Sequence, residues 1–121
     1  MDQTPGFAIG EPFEDSAVLA VTGEVDMASA PELERQLTRA LGAGPGGLVL
    51  DLSRVTFIDS TAMTALIHAL ERLHQRGGHA HVVATDPRLR ALFEVAGMEK
   101  HFALHSSRDE ALAEVSGRAV G

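Results

Sequence analysis

Between Leu48 and Ala84 the spacing of apolar residues changes period twice, and this limits the fold more than any other feature of the chain. Leu48, Val49, Leu50 and Leu52 form a short apolar run with little alternation, the pattern of a strand covered on both faces. Met63, Leu66, Ile67, Leu70 and Leu73 then fall at helical spacing, while Thr64, His68, Glu71 and Gln75 occupy the other side, so a helix is expected from Ser60 or Thr61. Gly77 and Gly78 stop it, and His79 to Ala84 reads as a second buried strand. Strand, helix, strand over this distance predicts two parallel strands joined by a right-handed crossover.

The flanking sequence extends the same alternation. Phe7–Ile9 and Ala17–Val21 surround a polar segment with Pro12 and Asp15, which predicts a β-hairpin with a loose connection. Ser29, Pro31 and Glu32 form a Ser-x-x-Glu capping box with proline near the first helical position, and Leu33, Leu37 and Leu41 follow on one face. That helix must end within Gly42–Gly47. After Asp86 and Pro87 a short helix with Leu89, Leu92 and Phe93 is expected, closed by Gly97, then an edge strand over Phe102–Leu104. Ser107 and Glu110 make a second capping box, opening a C-terminal helix through Leu112 and Val115. The expected fold class is α/β: a single mixed β-sheet, an N-terminal hairpin strand plus parallel strands, with helices packed on it. At 121 residues the chain has material for one domain, spanning 1–121 with its core from about 7 to 116.

Charge and composition narrow the function. The net charge is −7 and Lys100 is the only lysine, so the chain lacks the basic footprint of a nucleic-acid binder. No apolar run approaches the roughly 20 residues of a membrane span, and Met1–Phe7 carries Asp2 where an export signal would be basic, so no membrane partner is expected. Cysteine is absent, which removes disulfides and thiolate metal sites and fits a cytoplasmic protein. No cofactor is expected.

In an open α/β sheet, functional groups collect where strands end and helices begin, and Asp59, Ser60 and Thr61 occupy such a place. They are also ordinary capping residue types. The wider pattern distinguishes the readings: Gly23-Glu24-Val25-Asp26 before one helix, Phe57-Ile58-Asp59-Ser60-Thr61 before the next, then Leu92 to Gly97 and Phe102. From about Phe7 to Leu112 the chain resembles the STAS family, the sulphate-transporter and anti-sigma-factor-antagonist domains, and specifically the bacterial anti-sigma factor antagonists of the partner-switching type.

That resemblance implies a STAS-like fold without enzymatic activity. It implies that the unphosphorylated chain binds an anti-sigma factor with serine kinase activity and so frees a sigma factor. Phosphorylation of Ser60 would end the interaction, and a phosphatase would be a further partner. Asp59 would orient the serine or meet the partner, Thr61 would support the site, and Asp26 would belong to the surface that the partner reads. Thr64 and His68, on the polar face of the same helix, complete the expected binding surface, although solvated helix positions look the same. The family's glycine after the motif is Ala62 here, which favours helix but adds a methyl where a kinase loop approaches.

Other chemistry has less support. Ser60 as a nucleophile would need a base and a tight glycine-flanked turn, yet Ile58 and Ala62 flank the segment. A phosphoaspartate receiver using Asp51 or Asp59 would resemble a family with a lysine after its last strand, whereas Lys100 precedes it. His79 and His81 share a strand face, with His101 and His105 further on, but no third ligand is defined by spacing and no metal site is expected. The remaining alternative is a STAS interaction module of a transporter or stress-signalling scaffold.

Overall fold

The computed structural model describes residues 4–42, 46–95 and 102–120. Its elements run β1 (Gly6–Ile9), β2 (Ser16–Val25), α1 (Ala30–Leu41), β3 (Gly47–Ile58), α2 (Ser60–Gln75), β4 (His79–Val83), α3 (Pro87–Val95), β5 (Ala103–His105) and α4 (Arg108–Val120). The strands form one sheet in the order β1-β2-β3-β4-β5. β1 is antiparallel to β2, and the rest are parallel neighbours, which is the mixed sheet expected from the alternating periods.

Register explains why the strands are apolar on both faces. Leu19, Leu50 and Val82 are aligned across β2, β3 and β4, and point into the larger core with Leu33, Leu37, Leu66, Leu70, Leu89 and Phe93 of α1, α2 and α3. Their neighbours Val18 and Val49 point the other way, where they meet Ala111 and Val115 of α4. Helices therefore cover both faces of the central strands, so neither face has to be polar. Phe93 and Phe102 close the far side of the larger core edge to face, with ring centroids 5.1 Å apart.

Two strands are longer than their apolar runs. β2 continues through Thr22, Gly23 and Glu24, and β3 through Ser53, Arg54 and Thr56, past the last pair with β4 at Asp51↔Val83. Breaks in the β2–β3 register at Ala20/Thr22 and Gly23/Glu24 disturb the alternation there, so backbone pairing extends the strands where side-chain pattern gives no signal. At the end of α2, Gly77 adopts φ 82°, and the amides of Gly77 and Gly78 donate to the carbonyls of His74 and Leu73, closing the helix as the glycine pair predicts. Gly97, and Gly44 and Pro45 within the expected stop after α1, lie outside the described residues.

The two expected capping boxes differ in outcome. Ser107 Oγ accepts the Glu110 amide at 3.1 Å, which is the serine half of the box at α4. At α1, Ser29 makes no side-chain cap, and its φ −97°, ψ −7° is already helical rather than extended. Its hydroxyl is engaged by Asp26, and Glu32 turns forward to Arg35 and Gln36. The turn at Asp26 thus takes over the job assigned to Ser29.

α4 is fixed to the sheet by an ion pair, Arg108 Nε to Asp51 Oδ2 at 2.9 Å. Partial burial works to raise the Asp51 pKa, but hydrogen bonds from Ser53 and the Arg108 guanidinium outweigh it and hold the carboxyl below its ordinary value. A carboxylate with a depressed folded-state pKa adds stability above its unfolded value, about 3.9, and that stability is lost as pH falls through the folded value. Asp51→Asn is therefore expected to lower the melting temperature by a few degrees at pH 7, with the difference from the parent shrinking below about pH 4 in a thermal melt series. A constant difference across that range would assign the effect to packing instead.

Candidate functional site

The site lies at the carboxyl end of the sheet, where β2 passes into α1 and β3 into α2. Asp59 is the N-cap of α2, with extended backbone (φ −90°, ψ 176°), and its Oδ1 accepts the Ala62 amide at 2.9 Å. Its Oδ2 accepts the Met27 amide at 2.8 Å, and its own amide donates to the Val25 carbonyl at 3.1 Å. One carboxylate thus caps the helix and ties down the neighbouring β2–α1 loop. Asp26 organises that loop: its Oδ1 accepts the Ala28 and Ser29 amides at 3.0 and 3.2 Å, an Asx turn on an exposed residue.

Because Asp59 supplies the cap, Ser60 does not. Ser60 is the first residue of α2, it is exposed, and among the described residues nothing is hydrogen-bonded to its hydroxyl. Thr61 beside it is exposed as well. One turn on, Thr64 is exposed, and its hydroxyl donates back to the Ser60 carbonyl at 2.8 Å. His68 follows after another turn, so Ser60, Thr64 and His68 form one solvent-facing stripe. Asp26, Asp59, Ser60 and Thr61 are thus brought together at the carboxyl end of the sheet, with Asp26 and Asp59 joined through Met27, while Thr64 and His68 lead away from it along α2. Ala62 is fully buried, so its methyl points into the core rather than toward anything approaching Ser60.

Three exposed apolar side chains escaped the sequence reading. Met27 (70% exposed) sits on the tied loop, and Phe57 (52%) and Leu92 (47%) border an open groove of about 280 Å³ between the end of β3 and α3. Residue type alone gives no warning of them, since Phe57 and Leu92 fit the apolar patterns of a strand and a helix. Asp86 stands on the groove wall and caps α3 by accepting the Arg88 amide at 2.9 Å. That bond and the Arg88 guanidinium hold its carboxyl below the usual range.

The other candidate groups are occupied elsewhere. Asp51 is paired with Arg108 and Asp59 with two amides, so neither is a free acceptor for a phosphoryl group. His81 is buried, with Nδ1 3.1 Å from His105 Nε2 on the neighbouring strand. His79 is exposed, and His101 and Lys100 lie outside the described residues. Among the described residues, no group of three or more His, Asp or Glu side chains is placed to hold a metal ion, and no helix is long and apolar enough to cross a membrane. Arg90 donates to the carbonyls of Ala84 (2.8 Å) and His105 (3.2 Å) and so joins the ends of β4 and β5.

Comparison with known proteins agrees with this architecture. The family model described as the STAS domain matches residues 10–111. The anti-sigma-F factor antagonist RsfB of Mycobacterium tuberculosis is 34% identical over 104 residues, 86% of this chain and 84% of that protein. A crystal structure of an anti-sigma factor antagonist from Mycobacterium paratuberculosis superposes with a TM-score of 0.83 at 32% identity, covering 96% of this chain and 97% of that one. The Bacillus cell fate determinant SpoIIAA, solved in its phosphorylated form, shares the fold at 17% identity, with a TM-score of 0.73 over 91% of this chain and 99% of that one. The chain therefore belongs to the STAS domain family, with relatives named anti-sigma factor antagonists.

Proposed function

We propose that this protein is an anti-sigma factor antagonist: unphosphorylated, it binds an anti-sigma factor that is also a serine kinase, frees a sigma factor, and is switched off when that kinase phosphorylates Ser60. The observation that carries this reading is the division of labour at the start of α2. Asp59 holds the cap, so the Ser60 hydroxyl is exposed and without a bonding partner among the described residues. A serine that served as cap would have to give up a structural bond to be modified. Ser60 gives up none.

The physics of the modification fits a switch of binding rather than of folding. A phosphate adds about −1.5 to −2 charge, and the dipole and free amides of a helix N-terminus favour an anion by roughly 0.3 to 2 kcal/mol. Asp59 next to it opposes this in part by like-charge repulsion, so the net effect on the fold is small. A partner closed over the stripe of Ser60, Thr64 and His68 meets the same group as bulk and unpaired charge at a desolvated contact. The protein's role is then a cytoplasmic one without catalysis of its own, and a phosphatase resets it.

The test is incubation of the protein with ATP and the purified anti-sigma factor kinases of its source organism, followed by peptide mass spectrometry. One phosphate on Ser60 is the expected product, and Ser60→Ala should remain unmodified while still binding the kinase. Modification confined to Thr61 or Thr64 would overturn the assignment.

A further inference from the structure

Ile9, Met27, Phe57 and Leu92 are the large apolar residues left exposed among the described residues, and Phe57 and Leu92 border the same groove. Phe57 lies three positions before Ser60 in the chain, and the floor of the groove is made by Val55, Ile58 and Leu89, each less than a tenth exposed. A monomer gains nothing from leaving two large apolar side chains in water around an apolar hollow. Such a feature beside a modifiable serine has the form of an interface anchor. The side of the groove toward β2 is acidic. Glu24 is directly across from Phe57 in the β2–β3 register and is exposed, and Asp26 and Asp59 stand at the neighbouring corner, while on the groove wall Asp86 is balanced by Arg88, paired to it at 3.4 Å.

We infer that the groove between the end of β3 and α3 receives a large apolar side chain of the anti-sigma factor, carried on a segment with basic residues beside it. This rests on the reading of Ser60 given above and extends the contact from α2 across Phe57 to Leu92. The acidic side of the groove selects the partner's chemistry: a basic flank pairs with Glu24 and Asp26, whereas a second copy of this chain, with its own net charge of −7, brings like charge. Apolar burial supplies affinity, and the phosphate on Ser60 then acts at the margin of that anchor, where a small displacement of the partner lifts its side chain out of the groove.

The test is titration of the protein with the anti-sigma kinase that modifies Ser60, using a non-hydrolysable ATP analogue so that the serine stays unmodified. Leu92→Gln and Phe57→Gln, both at exposed positions, are each expected to weaken binding about 10- to 100-fold with unchanged thermal melts. Amide hydrogen exchange in the complex should slow over residues 87–93. Affinities within twofold of the parent, with no added protection of α3, would overturn the inference while leaving the Ser60 switch standing. A parent dimer in sedimentation that Leu92→Gln dissociates would assign the groove to a second copy and overturn it too. Failure of the parent to bind any such kinase would sink both readings.

Discussion

Phosphorylation of Ser60 is expected to lower affinity for the anti-sigma kinase by about 100-fold, a penalty near 3 kcal/mol, with a melting temperature within about 2 °C of the unmodified protein. The two halves of this result come from one fact, the position of the hydroxyl. It is the first residue of α2, outside the core, with the cap supplied by its neighbour, so a new anion disturbs no bond that the fold uses. The partner has no such freedom, because a surface that closes over Ser60 must either bury the phosphate or withdraw. Ser60→Asp carries a single charge on a shorter side chain and should give a partial effect, about tenfold, again with little change in stability. Calorimetric titration and thermal melts on the same preparations separate the cases. If Ser60→Asp lost several kcal/mol of stability, the residue would be part of the fold and the switch would be one of folding. If the phosphorylated protein bound as tightly as the unmodified one, partner switching through Ser60 would be abandoned.

Much of this was legible in the sequence because period and punctuation agree in the middle of the chain. The run at Leu48–Leu52, the helical spacing from Met63 to Leu73 and the glycine pair at 77–78 each have one structural solution, and the sheet order follows from their succession. What was not legible depends on choices between equivalent groups. Ser29 and Ser60 are both serines at the start of an amphipathic helix, and in both places a nearby aspartate takes the structural role: Asp26 by an Asx turn, Asp59 by a true cap. An ionised carboxylate offers two acceptor oxygens to several amides at once, and a hydroxyl offers less, so the aspartate wins wherever the backbone brings both within reach. The far ends of β2 and β3 were missed for a different reason. There the strands are held by pairing with each other across a broken register, and Thr22, Glu24, Ser53 and Arg54 carry no apolar alternation to announce it. The exposed Met27, Phe57 and Leu92 were invisible because hydrophobic pattern reports that a residue is apolar, not whether the fold covers it.

The largest effect on stability at the site is expected from Asp59→Ala. Two hydrogen bonds disappear together: the cap on Ala62, whose loss costs about 0.5–2 kcal/mol, and the bond to the Met27 amide, worth about 1 kcal/mol more for a charged acceptor. The sum, roughly 1.5–3 kcal/mol, corresponds to a fall in melting temperature on the order of 10 °C for a domain of this size. Asp59→Asn should fall between, because one carboxamide oxygen replaces two carboxylate oxygens and can serve only one of the two amides well. The functional loss should exceed what stability explains, since freeing Met27 releases the loop on which Asp26 is displayed, and the partner must then pay the entropy of ordering it. Binding to the anti-sigma kinase, measured well below the melting temperature of each variant, should weaken in the order parent, Asn, Ala, with Asp26→Ala less affected in stability than Asp59→Ala. Were Asp59→Ala to melt within a degree of the parent, the clasp between the two loops would carry no weight. The rigid presentation of Asp26 and Ser60 on one surface would then need another cause.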